Sequence, residues 1–240
     1  MKYNTFLNES IQDIGILKAV FMGGVPGGGK SYVLKKLTNA KIEPRIVNTD
    51  IWTEFLKVGG DNQIWMDNAD KTKHLTKAQL THYINSMLPL WVDGTSNKAS
   101  SLFTREGALK SVGYDTAMVW VTTTLETAQR RAKEREKAIG RHVDPKFIEE
   151  LWSKANKMKD YYKSHFDVFL EVHNDDGDLN DKVVLDGFRK MTSFYTSPIR
   201  NPIGIELKEK MIKNGWKYLN DTDMYDIGDL NKVVSNWYKH

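Results

Sequence analysis

The sequence predicts an α/β fold in which a parallel five-stranded sheet is flanked by helices. Three observations predict it. Five apolar runs of strand length recur along the chain, helix-forming stretches lie between them, and the first run ends in a glycine-rich loop that opens a helix. Strand alternating with helix needs a crossover each time, and crossovers cover both faces of a parallel sheet.

The first strand is Ile16–Met22, an apolar run that stops at Gly23-Gly24. A helix follows over Ser31–Leu37, and Arg45–Asn48 is the second strand. Leu88–Val92, Ala117–Val121 and Phe166–Val172 supply the third, fourth and fifth. Helices are expected at Ala99–Lys110, Leu125–Ala138 and Pro145–Tyr162. The last is the best defined: Asp144 caps it, Pro145 takes the first helical position, and Ile148, Leu151, Trp152, Ala155, Met158 and Tyr162 share one face.

Two stretches depart from this rhythm. Gly59–Lys73 is polar and is followed by a helix over Thr76–Met87, so residues 59–87 read as an insertion between the second and third strands. Ser197-Pro198 and Asn201-Pro202 read as a linker. Beyond it, Glu206–Lys213 is a helix stopped by Asn214-Gly215, and Leu230, Val233, Val234 and Trp237 mark a last amphipathic helix. The expected organisation is an N-terminal segment (1–15), a main domain (16–195) holding the insertion and a lid at 125–145, and a C-terminal helical appendage (196–240).

Composition narrows the class. A chain of 240 residues buries a core without disulfides or a structural metal. Hydrophobic residues at 40% and charged residues at 28% exclude a disordered chain. No run approaches the roughly 20 apolar residues of a membrane span, and Met1–Gly15 lacks the apolar stretch of a signal peptide. The absence of Cys removes disulfides, thiolate metal sites and Cys nucleophiles, so a cytoplasmic protein is expected. The net charge of +4 permits an anionic partner without demanding one. Gln129–Lys137 alone carries five bases against two acids, with Arg141 just beyond, so much of the excess lies in one helix.

The chemistry is written in the glycines, five of which fall within seven positions. Gly24-Val25-Pro26-Gly27-Gly28-Gly29-Lys30-Ser31 matches G-x-x-x-x-G-K-[ST]. Such a loop wraps a triphosphate with its backbone N–H groups, so side chains are excluded and glycine dominates. The next helix points its N-terminus at the phosphates. Lys30 can reach the β and γ oxygens, and the Ser31 hydroxyl can hold Mg²⁺. The expected fold is therefore that of a P-loop NTPase, with ATP and Mg²⁺ as its ligands.

Four later features bear on what the nucleotide is used for. Asp50 ends Ile46-Val47-Asn48-Thr49-Asp50, 20 residues after Lys30; a carboxylate there can accept a proton from an attacking hydroxyl, cap the next helix, or do both. Asp93 closes Leu88–Val92 ahead of Gly94-Thr95, where it either holds Mg²⁺ and orients an acceptor or simply makes an Asp-Gly turn. Arg130, Arg131 and Arg135 share a helix, and Arg141 follows. They read as a clamp on γ-phosphoryl charge or as a salt-bridged face with Glu134 and Glu136. Asn174, in the polar loop after the fifth strand, either lines the adenine end of the site or serves as ordinary turn chemistry.

The order of these parts resembles the P-loop kinases related to phage polynucleotide kinase and zeta toxins. The resemblance covers roughly residues 16–190 and rests on Gly24 to Ser31, Asp50, Asp93-Gly94-Thr95, and Arg131, Arg135 and Arg141 before Val143-Asp144-Pro145. It implies transfer of the ATP γ-phosphoryl group to a hydroxyl, with Asp50 as base, the arginines neutralising the transition state, and Asp93 and Thr95 at the acceptor. It also suggests a phage or mobile-element origin and hence the host cytoplasm. The sequence departs from the pattern after Asp50, where Ile51-Trp52-Thr53-Glu54 replaces an Arg that often holds an acceptor phosphate.

The acceptor is expected between Asp50 and the lid, beside Trp52, Trp65, His74, His82 and Tyr83. A polynucleotide, a modified DNA base or a nucleotide is the first class. A nucleotide-sugar or another small hydroxyl compound is the second. A P-loop ATPase or switch without an acceptor is the rival, and Val92-Asp93-Gly94 lacks the second acid expected of a motor. The oligomeric state is left open.

Overall fold

The computed structural model describes residues 15–25, 27–37, 44–56, 62–94, 98–139, 143–175 and 181–213. In chain order its elements are β1 (Lys18–Gly24), α1 (Lys30–Leu37), β2 (Arg45–Val47), α2 (Thr49–Phe55), α3 (Asn62–Asn85), β3 (Leu90–Asp93), α4 (Ala99–Ser111), β4 (Asp115–Thr122), α5 (Leu125–Ile139), α6 (Pro145–His165), β5 (Phe169–His173), α7 (Asp181–Thr196) and α8 (Pro202–Lys213). The sheet has the order β2-β3-β1-β4-β5, with every neighbouring pair parallel. β1 is its centre and is buried at every position. The chain crosses from β3 past β1 to β4, so the C-terminal end of β1 faces the crevice where the strand order reverses.

Period-two alternation sorts the core into two layers. Ala19 and Phe21 of β1, Met118 and Trp120 of β4, and Leu90 and Val92 of β3 face one side, packed with Leu80, Ile84, Leu102, Ile148 and Tyr162. Val20, Met22, Trp91, Val119 and Val121 face the other, against Val33 and Leu37 of α1 and Met191, Phe194 and Tyr195 of α7. The inner strands β1, β3 and β4 are buried on both faces and read as unbroken apolar runs, whereas the edge strands β2 and β5 are only partly covered.

The sequence reading and the structure differ in particular places. β5 starts at Phe169 because Phe166, though buried, closes α6 as its extended C-cap. The polar stretch before Lys73 is helical from Asn62, and α3 is a single helix of 24 residues. α7 was not foreseen at all. α8 begins at Pro202 instead of Glu206, since the Asn201 side chain caps it by accepting from Ile203 N–H at 3.0 Å and Pro202 takes its first position. The predicted final helix around Leu230–Trp237 lies outside the described residues.

The segment read as a linker is a staple at the N-terminal edge of the sheet. Lys18 Nζ, 1% exposed, donates to Asp115 Oδ2 at 2.6 Å, to Ser197 Oγ at 3.1 Å and to the Pro198 carbonyl at 3.0 Å. Asp115 in turn accepts from the backbone N–H groups of Arg200 and Asn201. Such a pair tolerates burial because its remaining protons and lone pairs find partners. Beyond it, Gly204 lies against the Gly113 backbone, where a Cβ would collide, and Leu207 and Met211 enter the larger core layer.

Candidate active site

The glycine loop hangs from the C-terminal end of β1. Gly27 (φ +79°) and Gly29 (φ +80°) are left-handed, a conformation that costs other residues about 1 kcal/mol or more. A Cβ on Gly27 would strike the Ala128 carbonyl of α5, and one on Gly29 would strike the Asn174 amide nitrogen. The loop is thus pressed between the first turn of α5 and the residue after β5. Gly28 N–H closes a turn onto the Val25 carbonyl at 3.1 Å, and the Gly29 carbonyl starts α1 by accepting from Tyr32 and Val33 at 3.0 Å. A backbone cradle with no room for a Cβ, opening onto a helix N-terminus, suits phosphate oxygens. Lys30 folds back along this cradle, its Nζ 3.2 Å from the Val25 carbonyl and 3.4 Å from that of Gly24. Ser31 is exposed on the first turn of α1.

The carboxylate side of the site comes from β2 and β3. Asp93 ends β3 in register with Met22 of β1, and Asn48, just past β2, donates to Asp93 Oδ2 at 2.8 Å. Asp50 is the second residue of α2, so the backbone after β2 carries it to the same edge of the sheet as the glycine loop. The Asp50 side chain, Pro26, Thr95 and Arg141 lie outside the described residues, as does the side chain of Trp65. Trp52 Nε1 joins α2 to α3 by donating to Gln79 at 3.3 Å, and within α3 Gln79 donates on to Tyr83 Oη at 2.8 Å. Phe55 stands edge-on to Trp52 with centroids 5.9 Å apart and is 77% exposed, while His74 and His82 face solvent.

The third side is α5. Arg131 is half-buried, and its Nη1 donates to the Asn174 carbonyl at 2.7 Å. The same nitrogen lies 3.5 Å from where a Gly29 Cβ would stand, so its charge borders the loop. Arg135, one turn on, is exposed, and Arg130 is exposed and paired with Glu134 at 2.9 Å. Asn174 is buried, and its amide donates to the Gly28 carbonyl at 2.7 Å. Of the residues singled out in the sequence, the structure therefore brings together the loop, Lys30, Arg131 and Asn174, with Asp93 on the adjoining strand.

Three contributors escaped the sequence reading. Asn48 orients Asp93; its signal was a run of polar residues closing the short second strand. Asp175 binds the start of α5, accepting from Thr123 Oγ1 at 2.6 Å and from Thr124 N–H at 2.9 Å. Burial acts to raise the Asp175 carboxyl, but hydrogen bonds from Thr123, Thr124 and Thr127 outweigh it and hold the pKa at about 2. Trp152 of α6 donates to the Thr123 carbonyl at 2.8 Å; its spacing marked only a core face. Among the described residues, no group of three or more His, Asp or Glu could hold a metal ion alone. No described helix is long and apolar enough to cross a membrane.

A family model described as an AAA domain matches residues 20–156, more than half of the chain. The chain belongs to this AAA domain family. The match runs from β1 through α5 into α6, so the AAA domain contains the loop, Asp50, Asp93, Arg130, Arg131, Arg135 and Arg141. The resemblance to P-loop kinases drawn above agrees with this membership, and the fold is that of the α/β P-loop NTPases. A candidate kinase from Chloroflexus aurantiacus J-10-fl is similar in structure at 14% identity, with a TM-score of 0.50, covering 72% of this chain and 97% of its own. A protein of the PezAT toxin–antitoxin system of Streptococcus pneumoniae matches at 17% identity and a TM-score of 0.48, over 82% of this AAA protein and 85% of that chain. A chain of the Pnkp1/Rnl/Hen1 RNA repair complex matches at 17% identity and a TM-score of 0.49, over 62% of this chain. The matched part spans 46% of that longer chain. No curated protein matches the sequence.

Proposed function

We propose that this protein is an ATP-dependent kinase that transfers the γ-phosphoryl group to a hydroxyl. The observation that carries the reading is the docking of Arg131 against the glycine loop, with its guanidinium held by Asn174 beside Gly29. A loop of this kind binds nucleotide in many enzymes; an arginine delivered to it by a lid in the same chain supplies the counter-charge that phosphoryl transfer needs.

The loop from Gly24 to Ser31 takes the triphosphate, and Ser31 and Asp93 are the residues that would hold Mg²⁺. Bound there, Mg²⁺ draws negative charge off the phosphate oxygens. Lys30 leaves its loop carbonyls for the β and γ oxygens. Asp50 takes the proton of the acceptor hydroxyl as its oxygen bonds to the γ-phosphorus. The bond to the β–γ bridging oxygen breaks and ADP leaves. Arg131, Arg135 and Arg141 balance the charge on the phosphoryl oxygens, and Asp93 and Thr95 orient the acceptor.

For the acceptor, a polynucleotide, modified base or nucleotide is favoured by the exposed Phe55 beside Trp52 on the helix that carries Asp50, a platform on which a planar ring can stack. A second class, a nucleotide-sugar or other small alcohol, is favoured by Ile51-Trp52-Thr53-Glu54, which offers no cation for an acceptor phosphate. The test is γ-labelled ATP with a panel of polynucleotides, modified bases, nucleotide-sugars and nucleosides, read by product mass. Label should reach an acceptor, and Asp50→Asn should lower transfer by about 100-fold or more while ATP binding stays. Label appearing only as inorganic phosphate with every acceptor would refute the kinase reading.

A further inference from the structure

The two residues that follow β5 bond to the glycine loop, to Arg131 and to the start of α5. Asn174 is 4% exposed, with both backbone groups and its amide engaged. Its N–H donates to the Thr122 carbonyl at 2.9 Å, and its Nδ2 to the Gly28 carbonyl at 2.7 Å. Its own carbonyl accepts from Arg131 Nη1 at 2.7 Å and from Thr123 Oγ1 at 3.4 Å. One residue on, Asp175 Oδ1 accepts from Thr123 Oγ1 at 2.6 Å, Thr124 N–H at 2.9 Å and Thr124 Oγ1 at 3.1 Å. Thr124 is the residue before α5, and its Oγ1 receives the Thr127 N–H at 3.2 Å, a cap on the helix that carries Arg131.

We propose that Asn174 and Asp175 form a positioning bracket: Asn174 holds the glycine loop and the Arg131 guanidinium at a set separation, and Asp175 holds the start of the lid helix. The role rests on the kinase reading. The Asn174 amide packs on the glycine loop itself and the Asp175 carboxylate on the start of α5, so each acts by setting the position of its neighbours. Gly28 lies 146 residues from Asn174 along the chain, and Arg131 lies 43 away, so a single residue ties together parts that local structure leaves independent. An arginine on a long flexible stem is useful to a transition state only when its placement is settled beforehand, and displacements near 1 Å can cost about 100-fold in rate.

The two halves predict different kinetic signatures. Asn174→Asp sets an acceptor oxygen against the Gly28 carbonyl. Binding of a non-hydrolysable ATP analogue with Mg²⁺ should weaken about tenfold, the equivalent of one lost hydrogen bond. Asp175→Ala should leave that affinity within about twofold but lower the transfer kcat about tenfold or more. Asp175→Asn keeps an acceptor oxygen and should recover most of the kcat. Melting temperatures of the nucleotide-free variants show whether each is folded, and Asn174→Ala replaces the aspartate variant if that one is not. Analogue affinity unchanged at position 174, wild-type kcat in Asp175→Ala, or failure of Asp175→Asn to recover activity each overturns the bracket. If the wild-type chain phosphorylates no acceptor, the kinase reading falls; the analogue affinity of the position-174 variant then decides the bracket by itself.

Discussion

Replacing Gly29 by Ala tests how tightly the phosphate cradle is built. The residue sits at φ +80°, and an added methyl meets the Asn174 amide nitrogen, with Arg131 Nη1 at 3.5 Å. Two costs follow. Holding Ala in the left-handed region costs about 1 kcal/mol or slightly more. Driving the Asn174 amide off the Gly28 carbonyl forfeits a buried hydrogen bond, about 1–1.5 kcal/mol. The total is about 2–2.5 kcal/mol, and it is met in one of two ways. If the loop keeps its shape, folding stability falls by that amount. If the loop relaxes, stability is spared and nucleotide affinity falls about 30- to 60-fold. Urea unfolding and calorimetric titration with an ATP analogue, made on one preparation, should together recover the full loss. Unfolding free energy within about 0.5 kcal/mol of wild type, together with affinity within about threefold, would refute the packing described for this loop.

Two further outcomes concern stability. Asp115→Ala leaves Lys18 charged and buried and removes the acceptor for two backbone N–H groups, so unfolding free energy should drop by about 3–5 kcal/mol in urea. A loss under about 1 kcal/mol would mean the pair is not desolvated. Buried Glu106 accepts from Thr116 at 2.7 Å and pairs with Lys110 at 2.7 Å and His165 at 2.6 Å. Burial works to raise its carboxyl, but the bonds from Lys110, His165 and Thr116 outweigh it and hold the pKa below the ordinary glutamate range. A carboxylate held low stabilises the fold above its unfolded value and loses that contribution as pH falls through the folded one. Asp175, at about 2, acts in the same direction. Stability should therefore decline steeply below about pH 4, and Glu106→Gln should flatten the slope; an unchanged slope would remove Glu106 as a cause.

Features read correctly in the sequence are those whose cause is local. The glycine loop is one: spacing, composition and the strand before it all lie within a few residues. α6 is another, with Asp144 accepting from Lys146 N–H at 2.8 Å and Pro145 in the first position, as its sequence declares. α7 is amphipathic, with Val184, Phe188, Met191 and Tyr195 recurring at helical spacing, so its pattern was legible in the sequence and nothing physical hid it. The first part of α3 gathers its apolar residues in one run, Ile64-Trp65-Met66, among polar ones, and so shows no helical period. Within the site, Asn174 was noticed as a polar loop residue, yet its partners Gly28 and Arg131 are brought to it only by the closure of the sheet. Sequence pattern indicates what a residue can do; topology decides what it meets.

The staple at the far end of β1 limits how far the chain can be shortened. Lys18 opens the strand whose last residue, Gly24, begins the glycine loop; Asp115 balances its charge, and Ser197 and Pro198 accept its other hydrogen bonds. Residues 20–156 match the family, but a polypeptide trimmed to that span would lose Lys18 and leave Asp115 behind without a counter-charge. Cutting after Tyr195 would keep the ion pair but strip it of the Ser197 and Pro198 oxygens and of the Arg200 and Asn201 amides. The minimal unit able to present this glycine loop therefore extends into α8, well past the residues matched by the family.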